Sequence, residues 1–129
     1  MNGKYLLDTN IIIAIFAQEE QVLTALATVS ELFIPCFAVG ELRYGAWKSG
    51  RAADNLARIN QFVAENVILD CTVETTSWYG QIKDNLRRKG RPIPENDIWI
   101  AALAQQHDLI LVTRDAHFQQ IDNLLVEIW

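Results

Sequence analysis

The stretch KYLLDTNIII, residues 4–13, decides the fold, because it places one acid between two apolar runs. Asp8 directly follows Leu7 and stands two residues before Asn10, after which the isoleucines begin. A carboxylate in such surroundings is costly to bury unless a hydrogen-bond donor, an opposite charge or a metal ion meets it. The stretch therefore predicts a strand that ends at an acid, and the role of that acid depends on whether other acids reach the same place.

Length and composition predict a single domain over residues 1–129, which buries roughly two thirds of its unfolded surface. Cys36 and Cys71 lack the spacing of a zinc or redox motif, so we expect two small hydrophobic side chains in a reduced setting. Asp8 interrupts the N-terminal apolar run, and residues 11–17 are too short to span a bilayer. We expect a soluble cytoplasmic protein.

Short runs of Leu, Ile and Val alternate with longer segments of helical period, which is typical of a parallel sheet covered by helices. The predicted class is α/β. Strands are predicted near Tyr5–Leu7, Leu32–Ile34, Val67–Leu69, Ile110–Val112 and Leu125–Ile128. Helices are predicted near Asn10–Phe16, Gln21–Thr28, Ala38–Lys48, Ala52–Asn66, Thr75–Lys89 and Asn96–Gln106.

Several residues mark where the helices should begin and end. Ser49 and Gly50 are predicted to end the third helix, and Gly90 with Pro92 to end the fifth. Asn96 is predicted to be the N-cap of the sixth helix, because its side chain can accept a hydrogen bond from a free amide of the first turn.

Four acids are placed where parallel strands end or helices begin. Asp8 follows the first strand, and Asp115 comes three residues after Val112 in LILVTRDAHF, residues 109–118. Glu41 and Asp97 are expected near the starts of two helices. Ligands of open α/β sheets bind beyond the carboxyl ends of the strands, where the strand order reverses. We therefore expect these four carboxylates to meet at that edge.

Each acid alone has an ordinary structural explanation. Asp8, Asp97 and Asp115 are as well explained as helix caps, and Glu41 as a surface acid near Arg43. Together they would repel one another, since two unit charges about 5 Å apart at an effective dielectric near 20 cost roughly 3 kcal/mol. Six such pairs rival the roughly 5–15 kcal/mol that holds a domain folded. A cation must offset this repulsion, or some acids must be protonated or held apart.

Carboxylate oxygens suit Mg²⁺ and Mn²⁺, and the sequence offers no nearby Cys/His set for zinc. Such a site supports phosphodiester hydrolysis, because a bound ion activates water and stabilises charge at phosphorus. The net charge of −5 argues against a nucleic-acid partner unless bound ions neutralise these acids. Thr113 is predicted to cap a turn, with a contact to a metal-bound water as the alternative.

Four motifs then give a resemblance. LLDTN at residues 6–10, VGELRYG at residues 39–45, IPENDIWIAALA at residues 93–104 and LVTRDAHF at residues 111–118 resemble, in order, the acidic motifs of the PIN-domain nucleases. The most specific is Pro-x-x-Asp-x-x-Ile-Ala-Ala, which begins at Pro94. Length and motif order are similar to those of the VapC-type toxins of bacterial toxin–antitoxin pairs, and the resemblance covers almost the whole chain.

The resemblance implies a three-layer α/β/α sandwich around a parallel five-stranded sheet of order 3-2-1-4-5. It implies an endoribonuclease that uses Mg²⁺ or Mn²⁺ to cut structured RNA such as tRNA or ribosomal RNA. The family's catalytic and metal-binding acids fall on Asp8, Glu41, Asp97 and Asp115. It also implies a homodimer and a small DNA-binding antitoxin of the VapB type, whose tail fills the active-site groove.

Other features are open to two interpretations. The basic run LRRKGRP, residues 86–92, and the set Arg43, Lys48 and Arg51 are solvated helix surfaces or RNA contacts. Ile11, Ile12, Ile15 and Phe16 are core residues or part of an antitoxin groove. We expect core or dimer-interface positions for the aromatic residues Trp47, Trp78, Tyr79 and Trp99. His107 and His117 have no ligand spacing between them, and we interpret both as structural.

Two other function classes compete with a nuclease. A phospho-acceptor signalling domain would fit the length, the parallel sheet and Asp70 after the third strand, but Asp8 is the only acid at the end of the first strand. Such a domain also needs a lysine after a later strand, where this chain has Arg114. The other alternative is a PIN-like module that binds RNA or protein without cutting, against which the complete set of acids argues.

Overall fold

The computed structural model describes residues 3–129. Five strands alternate with helices along the chain, as the apolar runs predict. The strands are β1 Lys4–Leu7, β2 Glu31–Pro35, β3 Val67–Leu69, β4 Ile110–Thr113 and β5 Val126–Ile128. The helices are α1 Thr9–Phe16, α2 Glu20–Leu26, α3 Cys36–Trp47, α4 Ala52–Glu65, α5 Val73–Lys89 and α6 Glu95–Gln106, followed by a 3-10 helix, Ala116–Gln120.

All neighbouring strands pair in parallel, in the order β3-β2-β1-β4-β5. This confirms the α/β/α fold and the strand order that the resemblance implied. β1 and β4 are neighbours, with Leu7 opposite Val112. Because the order reverses between these two strands, their carboxyl ends form the crevice in which ligands of such sheets bind.

The core lies on both faces of the sheet, because successive side chains of a strand point to opposite faces. Leu6 and Leu111 pack with α5 and α6 on one face, and Leu7 and Val112 pack with α1 and α3 on the other. All four side chains are fully buried. This two-sided burial explains why β1 and β4 lack the polar alternation of half-exposed strands.

Two helix starts differ from those the sequence predicts. α6 begins at Glu95 after Pro94, so the prediction that Asn96 is its N-cap is wrong. The fixed φ of proline suits a helix entrance, and the Asn96 side chain is left to bond elsewhere. α3 begins at Cys36, which places Glu41 in its second turn and not at its start.

The predicted end of α5 is confirmed. The helix ends at Lys89, and Gly90 has a left-handed conformation with φ of 66°. Glycine adopts this conformation without the steric cost that a Cβ brings. The last turn carries Arg87, Arg88 and Lys89, which favour the negative end of the helix dipole.

The arrangement of the sheet argues against the phospho-acceptor alternative. Asp70 follows β3, which is an edge strand separated from β1 by β2. Asp70 and Asp8 therefore stand at the ends of strands that are not neighbours. The structure does not bring Asp70 next to the acid at the end of the first strand, as a phospho-acceptor site would require. Among residues 3–129, no helix has the length and hydropathy needed to cross a membrane.

Candidate active site

Asp8 stands where β1 passes into α1. It is the N-cap of α1, and its Oδ1 accepts a hydrogen bond from the Thr9 N–H at 2.8 Å. Its Oδ2 accepts one from the Thr113 hydroxyl at 2.7 Å. Its own N–H donates to the Val112 carbonyl at 2.9 Å, which fastens the start of α1 to β4. Asp8 therefore caps α1, and its hydrogen bonds hold the carboxylate in the crevice at the carboxyl ends of β1 and β4.

The electrostatics of Asp8 are those of a buried acid. The residue is only 4% exposed. Burial raises the pKa of Asp8 to about 6, and the charges of Asp97 and Glu41 act in the same direction. The hydrogen bonds from Thr113 and Thr9 oppose this rise but do not cancel it. Asp97 and Glu41 are therefore near enough to destabilise the charge on Asp8.

Asp97 lies in the first turn of α6 and contacts an imidazole. His117 Nε2 is 2.5 Å from Asp97 Oδ2, and His117 Nδ1 is 2.7 Å from Asp115 Oδ1. Burial raises the pKa of Asp97, and the nearby charges of Asp115 and Glu41 raise it further, while the contact with His117 lowers it. The interpretation of His117 as structural did not predict that its side chain joins two of the predicted site acids.

A turn after β4 brings His117 back to the site. Asp115 is the N-cap of the 3-10 helix, and its Oδ1 accepts a long hydrogen bond of 3.4 Å from the His117 N–H. The Asp-x-His spacing of Asp115 and His117 is a sequence signal of this contact. It was missed because only the spacing between His107 and His117 was considered. His107 itself is exposed at the end of α6.

Glu41 approaches the other acids from α3. Its Oε1 accepts hydrogen bonds from the Asn96 side-chain amide at 2.6 Å and from the Thr9 hydroxyl at 2.9 Å. These two contacts tie α3 to the starts of α6 and α1. Asn96 therefore positions Glu41, a role that the prediction of an N-cap missed.

Thr113 connects the two halves of the crevice. Its hydroxyl oxygen accepts a hydrogen bond from the Asp115 N–H at 3.0 Å, which confirms the predicted turn cap. The same hydroxyl donates to Asp8, so one buried side chain orients the loop after β4 and the carboxylate after β1. The Asn10 side chain links α1 to the loop after β4, because its oxygen accepts a hydrogen bond from the Arg114 N–H at 3.3 Å.

Part of this crevice has the donor set of a metal site. Ligand atoms of Asp97, Asp115 and His117 all lie within 4.8 Å of one another, close enough to surround one ion. Asp8 and Glu41 lie outside that group, but the charge of Glu41 raises the pKa of both Asp8 and Asp97, and the charge of Asp97 raises that of Asp8. Two carboxylates and an imidazole are ligands that divalent cations accept in proteins. The residues present therefore fit a divalent ion.

The basic side chains predicted as alternative RNA contacts mostly have acidic partners. Arg87 and Arg88 contact Asp84, Lys89 contacts Asp122, and Arg51 contacts Asp54. These pairs support the interpretation of a solvated helix end, and RNA contact stays a prediction.

Trp47, near the end of α3, is 70% exposed, so it is not a core anchor.

The apolar residues of α1 divide between two roles. Ile11 and Ile12 are fully buried, which supports the core interpretation for these two residues. Phe16 does line a cavity of about 180 Å³ together with Glu41, and Ile13, which was not predicted, joins it there. Tyr79 and Trp99 stack at a centroid distance of 3.8 Å, with Phe37 on the other side of Trp99 at 5.7 Å.

Comparisons with known proteins give one consistent result. The family model described as the PIN domain matches residues 5–124. The chain is 36% identical to ribonuclease VapC2 of Haemophilus influenzae and 35% identical to the tRNA(fMet)-specific endonuclease VapC of Shigella flexneri, over 98% of both chains in each case. It is similar to a chain in the structure of DNA-bound VapBC from Salmonella typhimurium, with a TM-score of 0.90, 32% identity and 98% coverage of both chains.

Proposed function

The chain belongs to the PIN-domain family, and from that premise we propose that it is a metal-dependent endoribonuclease, the toxin of a toxin–antitoxin pair. The reaction is hydrolysis of a phosphodiester bond in structured RNA, for which tRNA and ribosomal RNA are the expected substrates. The expected ion is Mg²⁺ or Mn²⁺, and the expected location is the cytoplasm.

The observation that carries this proposal is the convergence of acids from four separate segments at one strand-end crevice. Asp8 and Asp97 are separated by 89 residues in sequence, yet the charge of Asp97 helps to raise the pKa of Asp8. The partners of Asp8 and Asp97 stabilise their charges, yet burial and the neighbouring acids still raise the pKa of each carboxyl. Acids that destabilise one another in a crevice are typical of a functional site.

The side chains have distinct roles in this reaction. Asp97 would hold the ion directly and Asp115 would hold it directly or through His117, with Asp8 and Glu41 completing the acidic surroundings. When bound, a divalent ion lowers the pKa of a coordinated water molecule and stabilises negative charge at phosphorus. Thr113 keeps the Asp8 carboxylate directed at the crevice, and Asn96 does the same for Glu41. The acids need not act as nucleophiles.

The charge of the chain suits a nuclease only with the ion in place. With a net charge of −5, the chain as a whole repels a phosphodiester. Bound cations neutralise the acids at the point where the RNA backbone must approach. The expected contribution of Mg²⁺ or Mn²⁺ is therefore to binding as well as to chemistry.

The proposed partner is a small antitoxin of the VapB type, since a relative of known structure is a VapBC complex. The cavity between α1, α3 and α4 suits an apolar segment of such a partner, because Ile13 is 54% exposed beside it. Glu41 lines the same cavity, so a segment lying there reaches the acids directly. A homodimer remains the expected assembly of the toxin itself.

Incubation of total RNA with the purified chain, freed of antitoxin, tests the catalytic function. We expect discrete RNA fragments with Mg²⁺ or Mn²⁺ and intact RNA with EDTA, because ion removal leaves the acids uncompensated. RNA binding without cleavage in either ion would favour the non-catalytic module instead. Cleavage that persists in EDTA would contradict the metal dependence.

A further inference from the structure

His117 is the one member of the crevice that is not an acid, an amide or a hydroxyl. Its side chain is 29% exposed, whereas that of Asp97 is 15% exposed. Solvent therefore reaches the imidazole, and an ion can do so as well. Each of its ring nitrogens faces a carboxylate, Asp97 on one side and Asp115 on the other.

The two contacts distinguish the two ring nitrogens of His117, because Nδ1 faces Asp115 and Nε2 faces Asp97. A neutral imidazole carries one N–H and one lone pair. Ligating histidines commonly donate the N–H of the other nitrogen to a carboxylate, which fixes the ring orientation. Asp115 Oδ1, 2.7 Å from Nδ1, is placed for that role. With the N–H at Nδ1, the lone pair of Nε2 is directed to the side of Asp97.

We propose that His117 Nε2 is a direct ligand of the divalent ion, beside Asp97, and that it makes the site select Mn²⁺ over Mg²⁺. This inference rests on the proposed function, whose ion it specifies. Mg²⁺ prefers oxygen ligands and keeps much of its water. An imidazole nitrogen is a softer ligand, and transition ions gain more from it than Mg²⁺ does. In a site of carboxylates alone this difference would be smaller.

His117 Nε2 lies in direct contact with Asp97 Oδ2, so an ion shared by these two groups would take the place of that contact. Asp115 Oδ1 would still hold the ring through Nδ1.

Pulsed electron paramagnetic resonance of bound Mn²⁺ tests this directly, without RNA. The chain has two histidines, so tag-free protein gives an assignable signal. We expect nitrogen modulation of the Mn²⁺ echo in the wild type and in His107→Gln, and its loss in His117→Gln. Absence of nitrogen modulation in the wild type would overturn the inference even if the variant failed to fold.

Competition between Mn²⁺ and Mg²⁺ gives the second measurement. In His117→Gln we expect Mn²⁺ affinity to fall by about tenfold and Mg²⁺ affinity by less than about threefold. Equal losses for both ions would mean that His117 only positions Asp97, and would overturn the ligand assignment. RNA cleavage by a protein without nitrogen modulation would contradict this inference alone. Nitrogen modulation in a protein that cuts no RNA would contradict the proposed function alone.

Discussion

Replacement of Asp97 by Asn is expected to reduce the rate of RNA cleavage by at least about a hundredfold. Loss of a group that merely supports a metal ligand costs about 10- to 100-fold in affinity or activity, and Asp97 is assigned a direct role. Asn keeps the shape of the side chain but lacks its charge. The measurement is the initial rate of cleavage of a defined RNA at saturating Mn²⁺.

Glu95→Gln is the matched control for that experiment. Glu95 is on the same helix, two residues away, and its carboxylate pairs with Lys83 at 3.1 Å on the exposed surface. The control removes the same charge without touching the crevice, so its rate should stay within about twofold of the wild type, since an exposed pair contributes about 0–1 kcal/mol. Equal rates for Asp97→Asn and the wild type would exclude Asp97 from the reaction.

In the metal-free protein, the contribution of Asp8 to stability is expected to fall as the pH rises from about 4 to above 6. Burial raises the pKa of Asp8 from 3.8 to about 6, so in this interval the folded state binds more protons than the unfolded state. The contribution of Asp8 to the free energy of unfolding therefore falls with rising pH. A difference of about two pKa units corresponds to a loss of about 3 kcal/mol. Below the lower pKa this destabilisation is absent.

Urea unfolding in EDTA at a series of pH values measures this effect. Asp8→Asn cannot ionise, so the difference between wild type and variant isolates the contribution of Asp8. We expect the variant to be the more stable protein above pH 7 without metal. The control is Asp70→Asn, which removes an exposed acid after another strand. A wild type and an Asp8→Asn variant with parallel pH profiles would contradict the predicted burial of the charge.

The sequence predicted the sheet well because its strands are short uninterrupted apolar runs. β1 and β4 are buried on both faces, and burial leaves little choice of residue there. Helix starts were less predictable, since several residues near each start can cap it. α6 begins after Pro94, and Asn96 turns instead to Glu41, a contact that depends on the packing of α3 beside α6. The 3-10 helix after Asp115 left no periodic pattern to detect.

The sequence predicted that the four acids lie near one another because strand ends and helix starts converge at the sheet edge, although Glu41 lies in the second turn of α3. The contacts between them were not. His117 reaches Asp97 only because the 3-10 helix returns the chain toward α6, and the Thr113 hydroxyl reaches Asp8 only because β1 and β4 are neighbours. Such contacts join residues about 20 and 105 positions apart, and neither periodicity nor a local motif encodes them.

Ionisation of the crevice acids lowers the free energy of unfolding, so a bound ion is expected to stabilise the fold. The raised pKa values of Asp8 and Asp97 mean that their charged forms cost folding free energy. A ligand that binds only the folded state recovers it. Divalent ions are therefore expected to stabilise the protein most at neutral pH, where these acids are ionised.

Isothermal titration calorimetry of Mn²⁺ into the antitoxin-free chain at neutral pH tests most directly whether the acids form one ion-binding site. We predict saturable binding by the wild type, at least about tenfold weaker binding by Asp97→Asn, and unchanged binding by Glu95→Gln. A wild type without saturable binding, or an Asp97→Asn variant that binds as tightly as the wild type, would contradict the assignment of this crevice as a metal site.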